Sequence, residues 1–232
     1  MKKIITLLLI AATSAFNLGA DTESESNYSI VTDFPFVSEY VSRGIGVTEA
    51  SIQPSIEFSS NGFYISVWTN QPLTSGSVSG EFDFFVGNNW SLNDTMTLDL
   101  GSISYYFPKA DENKSTFEPY LGLSSDLLLG LNGSVYIYRD IVVDVSTLQL
   151  DLSRNIEIGS DLLLNLGANY GSVSVLGDVG DYTYYGFSAT LNYNINETVV
   201  PYLGAAYSNR DIDSTSEDFL YFIVGITVGL ID

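Results

Sequence analysis

The chain contains neither cysteine nor histidine, and only 8 of its 232 residues are basic against 28 acidic ones. Each shortage removes a class of function. Without cysteine there is no disulfide framework, although the oxidising space outside the cytoplasm permits one. With both residues missing, neither a Ser–His–Asp nor a Cys–His catalytic unit can be assembled. A net charge of −20 argues against nucleic acid as a partner, because affinity for phosphates comes mainly from Lys and Arg. Paired carboxylates such as Glu81 and Asp83 could in principle hydrolyse glycosides. Acids two apart on one strand face are more often plain lumen charge. The chain therefore reads as a non-enzyme that needs no cofactor.

Long apolar runs are missing too. Ile4–Ala12 is apolar but too short for a spanning helix, which needs roughly 20 residues. It follows Lys2 and Lys3 and precedes small residues up to Ala20, so residues 1–20 read as an export signal. Cleavage is expected after Ala20, with Ala15 as the alternative. Removing the leader takes two basic residues and no acid. Residues 21–232 are then one domain, opening on the acidic, serine-rich tail Asp21–Asn27.

Aromatic residues, by contrast, are abundant: 16 Tyr and 13 Phe bring them to 13%. High charge with few aromatics would suggest disorder; here a folded β protein is the better reading. Ile52, Pro54, Ile56 and Phe58 alternate with Gln53, Ser55, Glu57 and Ser59. Asn61-Gly62 follows, a pair suited to a tight hairpin because both positions tolerate positive φ. Period-two stretches recur at Phe34–Gly44, Phe63–Trp68, Val78–Asn88, Met96–Phe107, Phe117–Leu127 and Ser134–Ile141. Others are Ser146–Arg154, Asp161–Gly171, Tyr182–Tyr193, Val199–Ser208 and Phe219–Leu230, which makes about twelve strands. The pattern is weakest at the seventh, the eighth and the turn between them.

Connections alternate in character. Pro108–Thr116, Ser172–Asp181 and Asn209–Glu217 are long and share one side, while Asn61-Gly62 and Asn194–Glu197 are short and lie on the other. Short periplasmic turns, longer external loops and strands of about 9–11 residues describe an outer-membrane barrel. Aromatics near strand ends (Tyr40, Trp68, Trp90, Tyr105, Tyr106, Phe107, Tyr182, Tyr207) fit interfacial girdles. The expectation is an all-β, antiparallel up-and-down transmembrane β-barrel of about 12 strands. Alternation by itself also fits a soluble β-sandwich.

The stretch "VSEYVSRGIG" (Val37–Gly46) sets one of the few arginines in an apparent strand, with Glu39, Val41 and Arg43 on one face. A lipid-facing arginine at mid-depth would cost about 2–4 kcal/mol, so that face is expected to point inward. Arg43 would then meet Glu39, Glu57, Glu81, Asp83 and Asp99, and these six are the candidate pore-lining residues. A guanidinium among crowded carboxylates relieves their repulsion; it serves either a structural salt bridge or a selectivity constriction. Gly44-Ile45-Gly46 is not a dinucleotide loop, since Glu49 stands where a third glycine is due. The run Asp211–Asp218 starts like a calcium loop, but Ser216 replaces the glycine and Phe222 the bidentate Glu, so no metal site is assigned.

Val37–Trp68 also resembles the opening of the TorF-type porins of Gram-negative outer membranes. The family's Ser-x-Tyr-x-x-Arg-Gly run is matched by Ser38, Tyr40, Arg43 and Gly44. Its Gly-Phe-Tyr-x-x-x-Trp arm is matched by Gly62, Phe63, Tyr64 and Trp68. Glu81, Asp83 and Gly87 match a Glu-x-Asp-x-x-x-Gly strand, and "LDLGSISYYFP" resembles Gly-x-x-x-Tyr-Tyr-x-Pro. The likeness covers about the first half of the mature chain. The ending Leu-Ile-Asp departs from the aromatic residue that outer-membrane strands commonly end on. The resemblance implies a barrel in the outer membrane, with its lipids as partners, that passively admits small solutes. The acid excess would make it prefer cations. The alternative is a non-conducting barrel that anchors the envelope or binds ligand through acidic external loops.

Overall fold

The computed structural model describes residues 5–7, 16–18, 28–74, 80–110, 113–175, 181–212 and 215–230. Strands β1 (Ile5–Leu7) and β2 (Phe16–Leu18) form a short antiparallel pair. The rest of the expected leader and the tail Asp21–Asn27 lie outside the described residues. From Tyr28 the chain is nearly all strand. The segments are β3 (Tyr28–Asp33), β4 (Phe36–Ser42), β5 (Ile45–Ile52), β6 (Ser55–Ser60), β7 (Phe63–Pro72), β8 (Glu81–Ser91) and β9 (Met96–Tyr106). They continue as β10 (Ser115–Asp126), β11 (Leu131–Asp140), β12 (Val145–Glu157), β13 (Leu162–Val175), β14 (Tyr182–Tyr193), β15 (Val199–Ile212) and β16 (Thr215–Leu230).

Each segment from β7 to β16 pairs antiparallel with the next, and β16 returns to β3 and β4. Closure through β3 and β4 joins the two ends of the sheet from Ile223 to Leu230, as lipid requires of a spanning sheet. Two staves are broken. β3 and β4 are halves of the first, interrupted at Phe34-Pro35, and β5 and β6 are halves of the second, interrupted at Gln53-Pro54. Fourteen segments thus make a 12-strand barrel. Proline withholds a ladder donor, which is why the breaks fall there.

The sides of the wall are reversed from those of a soluble protein. On β14, Tyr182, Tyr184, Gly186, Ser188, Thr190 and Asn192 face inward and are buried, while Tyr185, Phe187 and Tyr193 are exposed. On β12 the exposed residues include Leu148, Leu150 and Leu152, with Arg154 and Glu157 toward the strand's end, and on β16 they include Leu220, Phe222 and Val224. An apolar exterior around a polar interior is what lipid demands of a barrel. This excludes the soluble sandwich.

Inward tyrosines are accommodated by glycines. Tyr64, Tyr120, Tyr136, Tyr184 and Tyr202 each stand directly opposite a glycine on the adjacent strand: Gly87, Gly101, Gly122, Gly171 and Gly225. A Cβ on Gly122 would lie 2.1 Å from the Tyr136 ring, and one on Gly171 2.1 Å from Tyr184. Each ring therefore lies along the wall in the space a side chain would have filled, and its bulk stays out of the lumen.

Tight turns gather at the end where Tyr28 and Leu230 lie. Asn61-Gly62 has φ of 50° and 90°, the two positive values of a type I′ turn. Two further turns share one device: the Asn93 and Asn196 carboxamide oxygens each accept from two backbone N–H groups. The opposite end carries the longer connection 107–114. The expected loop Asn209–Glu217 is instead mostly ladder, since β15 continues to Ile212 and β16 begins at Thr215. Polar cross-strand contacts hold this extension: Asn209 donates to Asp218 at 2.8 Å, and Arg210 pairs with Glu217. Likewise β13 runs on to Val175, past the expected start of a loop at Ser172.

The girdle assignment needs correction. Trp90, Tyr106 and Tyr207 do face outward, but Tyr40, Trp68, Tyr105 and Tyr182 are turned into the barrel. Alternation explains the split, since Tyr105 and Tyr106 are neighbours and must face opposite sides.

Candidate functional site

The barrel interior is crossed by its own first hairpin. β4 follows β16 for two residue pairs only, Phe36↔Val224 and Val37↔Ile223. β5 follows β7 only through Ser51↔Pro72 and Ile52↔Gln71. Beyond these points the two segments pair with each other alone, with a bulge between Tyr40 and Val41. The tip is Arg43-Gly44, with φ of 47° and 79°. A Cβ on Gly44 would sit 2.7 Å from the Cβ of Tyr184 and 3.1 Å from that of Arg210, both on the inner wall. Gly46 lies against the ring of Phe219 in the same way. The tip therefore lies inside the lumen.

Apolar burial holds it there. Val37, Tyr40 and Val41 join one cluster with Trp68, Phe85, Ile103, Tyr221 and Ile223 from the wall. Tyr40 packs its ring 5.4 Å from that of Trp68. This accounts for otherwise odd inward apolar residues on β8, β9 and β16, which line the hairpin's seat. Burial of such side chains is worth roughly 1.5–3 kcal/mol each.

Arg43 is thus in a turn and not within a strand. Its Nη1 and Nη2 donate to Glu118 Oε1 and Oε2 at 2.8 and 2.7 Å, a bidentate pair. Nη1 also reaches Thr147 Oγ1 at 3.3 Å, and the guanidinium carbon lies 4.7 Å from the centre of the Tyr138 ring. The Tyr105 hydroxyl donates to Glu118 Oε2 at 2.7 Å. Glu118 is 1% exposed and Tyr138 0%. The expected partners of Arg43 are corrected accordingly: its carboxylate is Glu118 on β10, 75 residues away. Glu118 shares the inner face with Thr116 and Tyr120, so the alternation that singled out Glu57 and Glu81 could have found it.

The other expected residues are distributed along the interior. Glu81 and Asp83 are buried on the inner face of β8 and lie against Tyr40 of the hairpin. Asp99 accepts from the hydroxyls of Tyr64 at 2.9 Å and Tyr136 at 3.1 Å, and the Tyr64 and Tyr120 hydroxyls bond to each other. Glu57 is a half-buried inner residue of β6. Glu39 is on the hairpin itself, opposite Glu49, away from the Arg43 pair. Besides Glu118, two further inner acids escaped sequence reasoning. Asp33 accepts from Tyr202 at 2.8 Å and Thr227 at 2.9 Å, and Asp151 accepts from Gln149 at 2.9 Å and Ser134 at 3.2 Å. Among the described residues no group of three or more carboxylates is placed to hold a metal ion. Residues 213–214 of the calcium-like run lie outside the described residues.

Chemically, the interior is an acidic, hydroxyl-rich surface, and Arg43 bridges the plug to the wall at Glu118. Comparison with known proteins supports the architecture. No curated protein sequence matches the chain. The NanC porin in a rhombohedral crystal form superposes with a TM-score of 0.58 at 16% identity, over 87% of this chain and 100% of that one. The KdgM porin in complex with disordered oligogalacturonate gives 0.59 at 14% identity, over 86% and 98%. At such identities the likeness shows a shared fold, that of outer-membrane porins. A family model described as "Bacterial protein of unknown function (Gcw_chp)" matches residues 21–225, almost the whole barrel, and the chain belongs to that family.

Proposed function

We propose that this protein is an outer-membrane channel for the passive passage of small solutes, with a preference for cations. In this reading residues 1–20 are removed on export and residues 21–232 form the barrel in the lipid. The observation that carries the preference is the inner face itself. Asp33, Glu57, Glu81, Asp83, Asp99, Glu118 and Asp151 look inward against few cations, and the outer face offers lipid an apolar band. The likeness of Val37–Trp68 to TorF-type porins accords with this, as do the porin neighbours. Single-channel recording on refolded protein tests it. A reversal potential on the cation side, reduced by Glu81→Gln with Asp83→Asn, is expected. An anion-side potential, or one the two substitutions leave unmoved, would overturn the preference.

One observation favours a second reading, a barrel that does not conduct. The hairpin spans the lumen, and Glu118, Tyr136, Tyr138 and Thr147 around its tip are each at most 1% exposed. If that seal is permanent, the protein acts by anchoring or by binding at its acidic external end, and planar bilayers stay silent.

A further inference from the structure

We propose that the β4–β5 hairpin is a hinged plug, latched inward by Arg43 and Glu118, which can swing into the barrel wall. The inference rests on the channel reading for its consequence, though not for its geometry.

Three observations converge on a hinge. Both arms leave the wall at proline, at Phe34-Pro35 and at Gln53-Pro54, and these breaks are level with each other because Gln53 N donates to Pro35 O at 2.9 Å. Above that level each arm keeps only two ladder pairs with its wall neighbour. The hairpin is therefore tied to the barrel through its base and otherwise by side chains alone, along its arms at Tyr40–Trp68 and Thr48–Asn70 and at its tip through Arg43.

The wall also has a vacancy for it. β16 pairs with β15 from Thr215 to Val228, but on its other edge the described residues before Ile223 have no strand partner. At Phe222 the backbone N–H is held by the Ser38 hydroxyl at 2.9 Å, a side chain standing in for a ladder bond. Extending the register Val37↔Ile223 up this edge would place Glu39 opposite Tyr221 and Arg43 opposite Glu217. In that arrangement Glu39, Val41 and Arg43 share an inward face with Val37, which is the parity the amino-acid sequence displays. The infolded hairpin breaks that parity with its bulge, burying both Tyr40 and Val41. One sequence thus serves two arrangements. One satisfies the β16 edge, and the other buries Val37, Tyr40 and Val41 in the apolar seat. A bistable element of this kind is displaced by whatever weakens one set of contacts.

The test uses the absence of cysteine. Spin labels at Ile45→Cys, on the tip, and Val142→Cys, on the turn beside β12, report the distance from plug to far wall in the full-length refolded barrel. The wild-type background should show mainly one short distance. Glu118→Gln, which keeps side-chain volume, and Arg43→Ala should each shift population to a second, longer distance, and Arg43→Lys should shift it less. Heat-modifiable migration on gels identifies barrels that have assembled. An unchanged single distance in assembled Glu118→Gln or Arg43→Ala barrels would make the hairpin a fixed part of the core and overturn the proposal. Conductance is read separately, on the latch variants and on a barrel lacking residues 38–50. If labels move while none of these barrels conducts, the hinge stands and the channel reading falls.

Discussion

Glu118→Ala should be among the most damaging single substitutions in the barrel. It removes two charge-assisted bonds from Arg43 and the acceptor of Tyr105, in a place where Glu118 is 1% exposed and Arg43 18%. A buried ion pair broken on one side costs about 3–5 kcal/mol, mostly for the charge left without a partner. We expect the lower end, about 3 kcal/mol, because swinging outward lets Arg43 recover water. Replacing both partners, as in Arg43→Met with Glu118→Leu, should recover most of the loss, since no lone charge then remains. Asp144→Ala provides the contrast. It breaks an ion pair with Arg139 whose side chains are 51% and 39% exposed, and it should cost less than about 1 kcal/mol. Equilibrium unfolding by denaturant in lipid vesicles, as a double-mutant cycle over positions 43 and 118, measures all of these. A loss for Glu118→Ala as small as that for Asp144→Ala, with no coupling between 43 and 118, would refute the reasoning and mean that water screens the pair.

Two further outcomes follow from the wall. Gly122→Val should destabilise the barrel by about 1–3 kcal/mol, because its Cβ would fall 2.1 Å from the Tyr136 ring and drive it into the lumen; unfolding midpoints check this, and Tyr136→Ala should partly rescue it. Epitope tags in the connection 107–114 should be labelled on whole cells, whereas a tag at Asn61-Gly62 should not, because the two lie at opposite ends of the strands; the reverse pattern would invert the topology.

Strand number, antiparallel order and the inner face were legible in the amino-acid sequence because they depend on local terms. Alternation at period two identifies faces from β7 to β16, and Asn61-Gly62 specifies a turn by its own φ preferences. The same alternation, joined to the cost of charge in lipid, turned Glu57, Glu81, Asp83 and Asp99 inward without reference to any partner. It could not say what else occupied the interior. Tyr105 and Trp68 look like girdle residues until the wall closes and shows them facing the plug. Arg43 looks like part of a strand because Glu39, Val41 and Arg43 alternate, yet alternation does not report whether a strand has neighbours on both edges. That depends on closure of the barrel, which brings β10 across from the first hairpin and sets Glu118 within 2.8 Å of a residue 75 positions earlier. Face is a property of neighbouring residues along one strand; the seat of the plug and its latch are properties of distant strands. Only the closed tertiary structure could decide them.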